Sequence, residues 1–168
     1  MYDKNLTHYL VVTGILVKEN KYLIVKRSEK EKAFPGRWSV PGGKLEVLDY
    51  CLREKDTSHH WYNTFEETLK REVKEEVGLE IKNISYVTSM VYIRPDGIPC
   101  IIVSMWAEQE KEGQINLDSC LTEFAWVSLE EAKKYDLIDG LYEELEMLEN
   151  ILQKGTKQEW TKQKVELV

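Results

Sequence analysis

Residues 64–79 read TFEETLKREVKEEVGL, and this stretch predicts the clearest helix in the chain. Thr64 followed three residues later by Glu67 is typical of a capping box at a helix start, and Gly78 is the kind of residue that ends a helix in the left-handed conformation. Apolar residues recur at every fourth position and predict one face packed against a core. They are Leu69, Val73 and Val77.

Three carboxylates lie beside that apolar face. At about 100° per residue, Glu72, Glu75 and Glu76 fall within an arc of roughly 100°. Their mutual repulsion disfavours the helix, and Arg71, four residues before Glu75, offsets only part of it. A bound hard cation gives one physical reason to keep this arrangement, because magnesium prefers carboxylate oxygens. On the helix alone, a solvated acidic face is the simpler interpretation.

Composition narrows the class of protein. With 168 residues, 32% of them charged and 42% hydrophobic, the chain predicts one soluble domain over residues 1–153 followed by a polar tail, 154–168. A net charge of −7 argues against a nucleic-acid-binding protein, and no apolar run is long enough to span a membrane. Three scattered cysteines, Cys51, Cys100 and Cys120, favour a reducing, cytoplasmic location.

The remaining pattern is a mixture of strands and helices. Two hairpins are predicted, one over 9–17 and 22–27 and one over 84–94 and 98–107, the second around Asp96-Gly97. Gly14 within the first strand suggests a bulge or a close backbone approach. Shorter elements are expected at 38–40 and 124–127 (strands), at 129–135 (a helix), and at 141–153, a helix whose inner face would carry Leu141, Leu145, Leu148 and Leu152.

The segment 35–46, PGRWSVPGGKLE, is followed downstream by 71–79, REVKEEVGL. Together these two segments resemble the Nudix hydrolases. The family's box is G-x5-E-x7-R-E-U-x-E-E-x-G-U, where U is a bulky aliphatic residue, and residues 71–79 match its second half without a gap. The resemblance extends from about residue 7 to residue 153. It implies an α/β fold, a Nudix-type α/β/α sandwich with a mixed β-sheet.

The chain departs from the box between its two halves. Residues 47–63 occupy a place where the family has a short turn, an insertion of about 14 residues. Aligned from the helix, the first glutamate of the box falls on Asn63, so that carboxylate would be missing unless Glu46, Glu54 or Asp56 replaces it. We hypothesise that the insertion is a lid or specificity element near the diphosphate.

The resemblance implies hydrolysis of a diphosphate bond in a nucleotide, with Mg²⁺ as cofactor and Mn²⁺ as a substitute. It makes Glu72, Glu75 and Glu76 metal ligands, together with a backbone carbonyl at Gly42 or Gly43. Glu72, Glu75 and Arg71 become the catalytic residues, with Arg71 orienting the glutamates. Loop carboxylates Asp118 and Glu123 are weaker candidates for the general base.

The substrate predicted is a small nucleotide, either a nucleoside triphosphate or an ADP-ribose-like sugar nucleotide. Pro95 lies 16 residues beyond Leu79, a spacing associated in this family with ADP-ribose hydrolases, although Pro95-Asp96-Gly97 is also an ordinary turn. Four residues are candidates for substrate binding: Arg27, Arg37, Tyr92 and Arg94. Trp38 is expected in the core, and His59 and His60 in a loop and not at a metal.

Two other classes of function stay open on the sequence. A nucleotide-sensing or interaction module could keep the fold and lose hydrolysis, a reading favoured by Asn63 and opposed by the intact Arg71-Glu72 and Glu75-Glu76 pairs. An isomerase on the same fold would need acid–base residues that the sequence does not identify. A homodimer formed through the tail also stays open.

Overall fold

The computed structural model describes residues 6–155. The tail predicted at 154–168, with its possible role in a homodimer, lies almost entirely outside them. Along the chain the elements are β1 Tyr9–Lys18, β2 Lys21–Arg27, β3 Trp38–Ser39, β4 Gly42–Lys44, α1 Leu48–Cys51, α2 Thr64–Val77, β5 Ile81–Ile93, β6 Pro99–Gln109, β7 Leu121–Val127, α3 Leu129–Ala132 and α4 Leu141–Lys154. Among these, no helix is long and apolar enough to cross a membrane.

The strands form one mixed sheet in the order β3-β2-β1-β6-β5, with β4 also paired to β1 and β7 to β2. Strands β1 and β6 run parallel, and the other pairs are antiparallel. Both predicted hairpins are confirmed. The first turns through Glu19 and Asn20, which adopt positive φ angles of 50° and 60°, the backbone that a tight hairpin requires.

Helices cover both faces of the sheet. Successive side chains of a strand point to opposite faces, so β1 packs against the helices on each side. Val12 and Leu16 pack in the cluster that contains the apolar face of α2, whereas Ile15 packs in the cluster that contains α4. The predicted α/β/α sandwich is therefore confirmed. Gly14 faces α2 so closely that an added Cβ would lie 2.7 Å from Leu69 Cδ1, which confirms the predicted close approach.

The ends of α2 agree only partly with the prediction. Gly78 ends the helix with a positive φ of 75°, as expected. The predicted capping box at Thr64 was wrong. The N-cap is Asn63, which adopts the left-handed conformation and provides no side-chain cap. The Thr64 hydroxyl instead donates to the Trp61 carbonyl at 3.4 Å. A true capping box occurs at α3, between Ser128 and Glu131.

The last helix and the tryptophan also test the prediction. Leu141, Leu145 and Leu148 are buried as expected, but Leu152 is 42% exposed, and Ile151 packs against the core at that end of α4 instead. Trp38 lies in the core as expected, edge-on to Tyr135 with ring centroids 4.8 Å apart.

Candidate active site

The acidic face of α2 lies against the short strand β4. The Gly42 N–H donates to Glu76 Oε2 at 2.9 Å, which fixes the last glutamate of the helix to the strand. One residue later, a Cβ added to Gly43 would lie 2.1 Å from Glu72 Oε1. Only a glycine leaves room for that carboxylate, so the Gly42-Gly43 pair and the two glutamates form one unit.

Glu76 is a largely buried carboxyl group. Burial raises its pKa to about 7, and the hydrogen bond from the Gly42 N–H partly opposes that rise. On the other side, the Cys120 thiol lies 3.6 Å from Glu76 Oε1. Burial raises the pKa of Cys120 above its ordinary value as well, so the thiol stays protonated and donates to the carboxylate.

Glu72 is the second largely shielded carboxyl group of the site, with a side chain 13% exposed. Burial raises its pKa, and the guanidinium of Arg71, 2.9 Å from Glu72 Oε1, opposes that rise. Glu75 differs, because its side chain is 59% exposed and lies on the solvent side of Arg71, 2.9 Å from Nη1. Of the three glutamates predicted at the site, two are thus buried against β4 and one faces water.

Arg71 connects all of these groups. Besides Glu72 and Glu75, its guanidinium donates to the Lys44 carbonyl at 3.1 Å and to both oxygens of Asp49, with Nη2 to Oδ2 at 3.1 Å. The hydrogen bond to Asp49 is the main cause that raises the pKa of Arg71 above its ordinary value. The predicted orienting role of Arg71 stays a prediction, but its position suits that role.

Asp49 is the residue that the sequence prediction missed. None of Glu46, Glu54, Asp56 or Asn63 holds Arg71; Asp49 does, with a side chain only 4% exposed. Although burial acts to raise it, the hydrogen bonds from Arg71 hold the pKa of Asp49 below its usual value. A signal existed: counted from Gly43, Asp49 stands at the G-x5-E position, with aspartate in place of glutamate.

The insertion therefore begins after Asp49. Its loop closes on itself, since the Trp61 indole donates to the Arg53 carbonyl at 3.2 Å and stacks near Tyr50 with centroids 5.3 Å apart. His60 Nδ1 lies 3.0 Å from the Thr57 hydroxyl, so the two histidines belong to an ordinary loop, as expected.

The donor set suits a hard divalent cation. Glu72 and Glu76 offer carboxylate oxygens beside the backbone of Gly42 and Gly43, and both are buried enough that their charge calls for a positive partner. Across residues 6–155 no three carboxyl, imidazole or thiol groups converge as ligands already in place. A carboxylate has two oxygens, so Glu72 can offer oxygen to a cation while Arg71 contacts its Oε1, and the residues fit the metal in kind.

A cleft of about 440 Å³ opens beside this unit. Gly42 and Gly43 form one end of it, and Ile138, Leu141 and Glu144 form part of its lining on the α4 side. Phe34 and Tyr92 stand together on its wall, with ring centroids 5.1 Å apart. The volume is within the range that holds small-molecule ligands.

Three of the four predicted substrate-binding residues line the cleft: Arg27, Tyr92 and Arg94. Pro95 lines it too. Arg27 forms an ion pair with Glu31 at 2.8 Å, and Arg94 forms one with Asp96 at 2.6 Å. A phosphate bound by either arginine would therefore share the guanidinium with that carboxylate.

Arg37 is the exception among the predicted substrate-binding residues. It is absent from the cleft lining, and its guanidinium binds the Leu137 carbonyl, Asp136 and Asp139. The prediction that Arg37 meets substrate disagrees with this position, because the side chain instead ties β3 to the loop before α4.

The two loop candidates for the general base, Asp118 and Glu123, lie in different parts of the structure. The backbone N–H of Asp118 donates to the Glu76 carbonyl at 3.0 Å, so Asp118 lies beside the site. Glu123 instead pairs with Lys26 at 2.7 Å on the sheet surface, where the Glu123 side chain is 55% exposed. Of these two, only Asp118 lies next to a residue of the site.

Comparison with known proteins places this arrangement in a family. Residues 8–148 match the model of the NUDIX domain. The nucleoside triphosphatase NudI of Klebsiella pneumoniae is 26% identical over 136 residues, which cover 76% of this chain and 86% of that protein.

Solved structures agree on the fold. The MutT NUDIX hydrolase of Burkholderia pseudomallei gives a TM-score of 0.65 at 19% identity, covering 83% of this chain and 97% of that one. The NUDIX domain of Shewanella oneidensis NrtR, solved with ADP ribose, gives 0.63 at 19% identity, covering 92% and 94%. Because the family model spans most of a chain whose box residues meet around Arg71, the chain belongs to the Nudix family and is a Nudix hydrolase.

Proposed function

We propose that the protein uses Mg²⁺, with Mn²⁺ as a substitute, to hydrolyse a diphosphate bond in a nucleoside triphosphate or a nucleoside diphosphate derivative. The observation that carries this proposal is the packing of Glu72 and Glu76 against Gly42-Gly43 at one end of the cleft. NudI relatives are named nucleoside triphosphatases, and the NrtR domain was solved with ADP ribose; both support a nucleotide in this cleft.

In this proposal Glu72 and Glu76 hold the cation, and Gly43 keeps the space that Glu72 needs. A bound divalent cation would neutralise phosphate oxygens and lower the pKa of a water. Arg71 fixes the direction of Glu72, because Asp49 anchors its guanidinium from the opposite side. Arg27 and Arg94 lie where they could contact the phosphates along the cleft.

The reaction requires that a water oxygen attack one phosphorus while the bridging P–O bond breaks. A base must accept the water's proton. Glu75 is our candidate, since its side chain is 59% exposed and can pass the proton to solvent while Arg71 holds it in place. Glu72, the other helix candidate, is buried beside Gly43 and better placed as a ligand.

The sensing module is the less favoured function. Asn63, in place of a box glutamate, was the feature that supported it, and Asp49 now fills that place at Arg71. We also keep the cytoplasmic location within this proposal; Cys51, Cys100 and Cys120 are all free thiols.

The test is release of phosphate or pyrophosphate from a panel of nucleotides and sugar nucleotides, with Mg²⁺ and after EDTA. We expect metal-dependent turnover that falls by at least about 100-fold in Glu76→Gln. Glu80→Gln is the matched control, because Glu80 is an exposed carboxylate paired with Lys111 and Lys74, outside the cleft lining. Metal-dependent nucleotide binding without turnover would overturn the hydrolase assignment in favour of sensing.

A further inference from the structure

A second carboxyl group lies in the cleft, among residues of the α4 side. Glu144, in the first turn of α4, is only 6% exposed, yet it belongs to the cleft lining together with Ile138 and Leu141. The cleft wall is otherwise largely apolar, with Val11, Ile102 and Met90 among its members. An acid buried among such residues is costly unless a polar partner satisfies it.

The described part of the chain supplies Glu144 with little compensation. No salt bridge to Glu144 is present among residues 6–155. Burial raises its pKa to about 7, and the nearby Ser104 hydroxyl only partly opposes that rise. Ser104 is itself fully buried, and its Oγ completes no hydrogen bond of good geometry with a described residue. Two neighbouring polar groups at this place therefore have unused hydrogen-bonding capacity.

A purely structural role accounts poorly for this acid. Leu141, Leu145 and Leu148 on the same helix are buried by apolar packing alone, and a leucine at position 144 would extend that face. Glu144 lines the cleft, so a bound ligand can supply its carboxyl group with a hydrogen-bond partner besides Ser104, and buried polar groups in folded proteins generally have such partners.

We propose that Glu144 accepts a hydrogen bond from an exocyclic amino group of the substrate's base, so that the cleft selects nucleotides whose base carries such a group. This inference rests on the proposed function, which sets the phosphates at the Gly42-Gly43 end. The cleft that Gly42 and Gly43 line also includes Glu144, so a base bound in this cleft can lie beside Glu144. A carboxylate is an acceptor suited to base amino groups, as in its pairing with the cytosine amine.

Matched substrates isolate the amino group. GTP and ITP differ by the amine at C2, and CTP and UTP differ by amine against carbonyl oxygen at C4. For at least one pair, we expect the wild type to favour the amino-bearing member by about 10- to 100-fold in kcat/KM. Glu144→Leu should reduce that ratio to near one, chiefly by raising KM for the amino-bearing member.

Two further variants keep the test interpretable. Glu144→Gln keeps one acceptor oxygen and a similar shape, so it should retain part of the preference even if the leucine variant folds poorly. Glu143→Gln changes the neighbouring glutamate, which lies outside the cleft lining, and should leave the ratio unchanged. Thermal unfolding of each variant reports whether it is folded.

Failure of this inference and failure of the proposed function are distinguishable. Turnover by the wild type with no amine preference, or with a preference that Glu144→Leu leaves intact, overturns the role of Glu144 alone. If no nucleotide is turned over, calorimetric binding of GMP against IMP and of CMP against UMP makes the same comparison without chemistry. Equal binding within both pairs would then overturn the inference as well.

Discussion

Asp49 and Arg71, 22 positions apart in the chain, are joined by two hydrogen bonds, from Nε to Oδ1 and from Nη2 to Oδ2. The pairing is largely shielded, since the Asp49 side chain is 4% exposed and that of Arg71 is 30% exposed. Arg71 in turn contacts Glu72 and Glu75, so Asp49 is the fixed point from which the guanidinium reaches the acidic face of α2.

Removing that fixed point should harm both folding and catalysis. Asp49→Ala leaves a partly buried guanidinium without its main partner, and we expect a loss of about 1–3 kcal/mol in the free energy of unfolding. Turnover should fall by about 10- to 100-fold, because Arg71 without Asp49 can move and no longer holds Glu72 and Glu75 in one orientation. Urea unfolding and kcat/KM measure the two effects.

The double variant Asp49→Ala/Asn63→Glu decides between the two alignments of the box. Asn63 is exposed at the N-cap of α2, so a glutamate there should restore neither stability nor activity. Recovery of both in the double variant would mean that position 63 reaches Arg71, contrary to the structure.

Deleting residues 50–63 should leave the site intact. The deletion keeps Asp49 and leaves seven residues between it and Arg71, which is the spacing of the uninterrupted box. None of residues 50–63 is among those lining the cleft. We therefore expect kcat/KM to keep its order across a nucleotide panel. A reordered substrate preference would instead support the hypothesis that the insertion is a lid or specificity element.

Gly43 should tolerate no side chain. In Gly43→Ala the new Cβ would lie 2.1 Å from Glu72 Oε1, so the carboxylate must move. A displacement of about 1 Å at a catalytic site costs roughly 100-fold, and we expect a loss of that size in kcat/KM. Gly113→Ala is the control, because its Cβ would meet Leu79 at an ordinary 3.5 Å. Full activity in Gly43→Ala would refute the tight contact with Glu72.

Periodicity and turn chemistry are local, and they predicted the fold well. The apolar face of α2, the two hairpins and the close approach at Gly14 all depend on residues near each other in sequence or on a simple alternation. The uninterrupted REVKEEVG segment predicted three glutamates at the site, and two of them, Glu72 and Glu76, lie against Gly42-Gly43. The helix begins at Thr64 as predicted, but the capping box was wrong, and the Thr64 hydroxyl instead contacts the Trp61 carbonyl in the insertion.

The residue that reaches Arg71 from the other side of the insertion could not be predicted from the helix alone. Counting back from Arg71 led to Asn63, whereas counting forward from Gly43 leads to Asp49, and only the folded loop shows which residue reaches the guanidinium. The contacts of Arg37 could not be predicted for a similar reason: its partners, Asp136, Leu137 and Asp139, lie about 100 residues later. A surface arginine near the box does not reveal such distant partners.

The buried acid at Glu144 should make stability depend on pH. Its folded pKa is about 7, above the ordinary value of 4.5 for a glutamate. Between those two values the unfolded chain binds fewer protons than the native protein, so the free energy of unfolding falls as pH rises. Once pH exceeds about 7 the full cost of ionising Glu144 is present, about 3 kcal/mol at most.

Glu144→Gln isolates this contribution, because the amide does not ionise in that range. We expect the variant to gain stability relative to wild type as pH rises from 5 to 8, measured as the difference in the urea-unfolding free energy at each pH. Glu143→Gln, one residue earlier on the same helix, should show a much smaller trend, because the charge of Glu143 contributes only the lesser part of the rise in the pKa of Glu144. Glu76 also titrates near 7, but it is present in both proteins and cancels in the difference. A constant difference across the range would mean that Glu144 ionises in the folded protein as easily as in the unfolded chain.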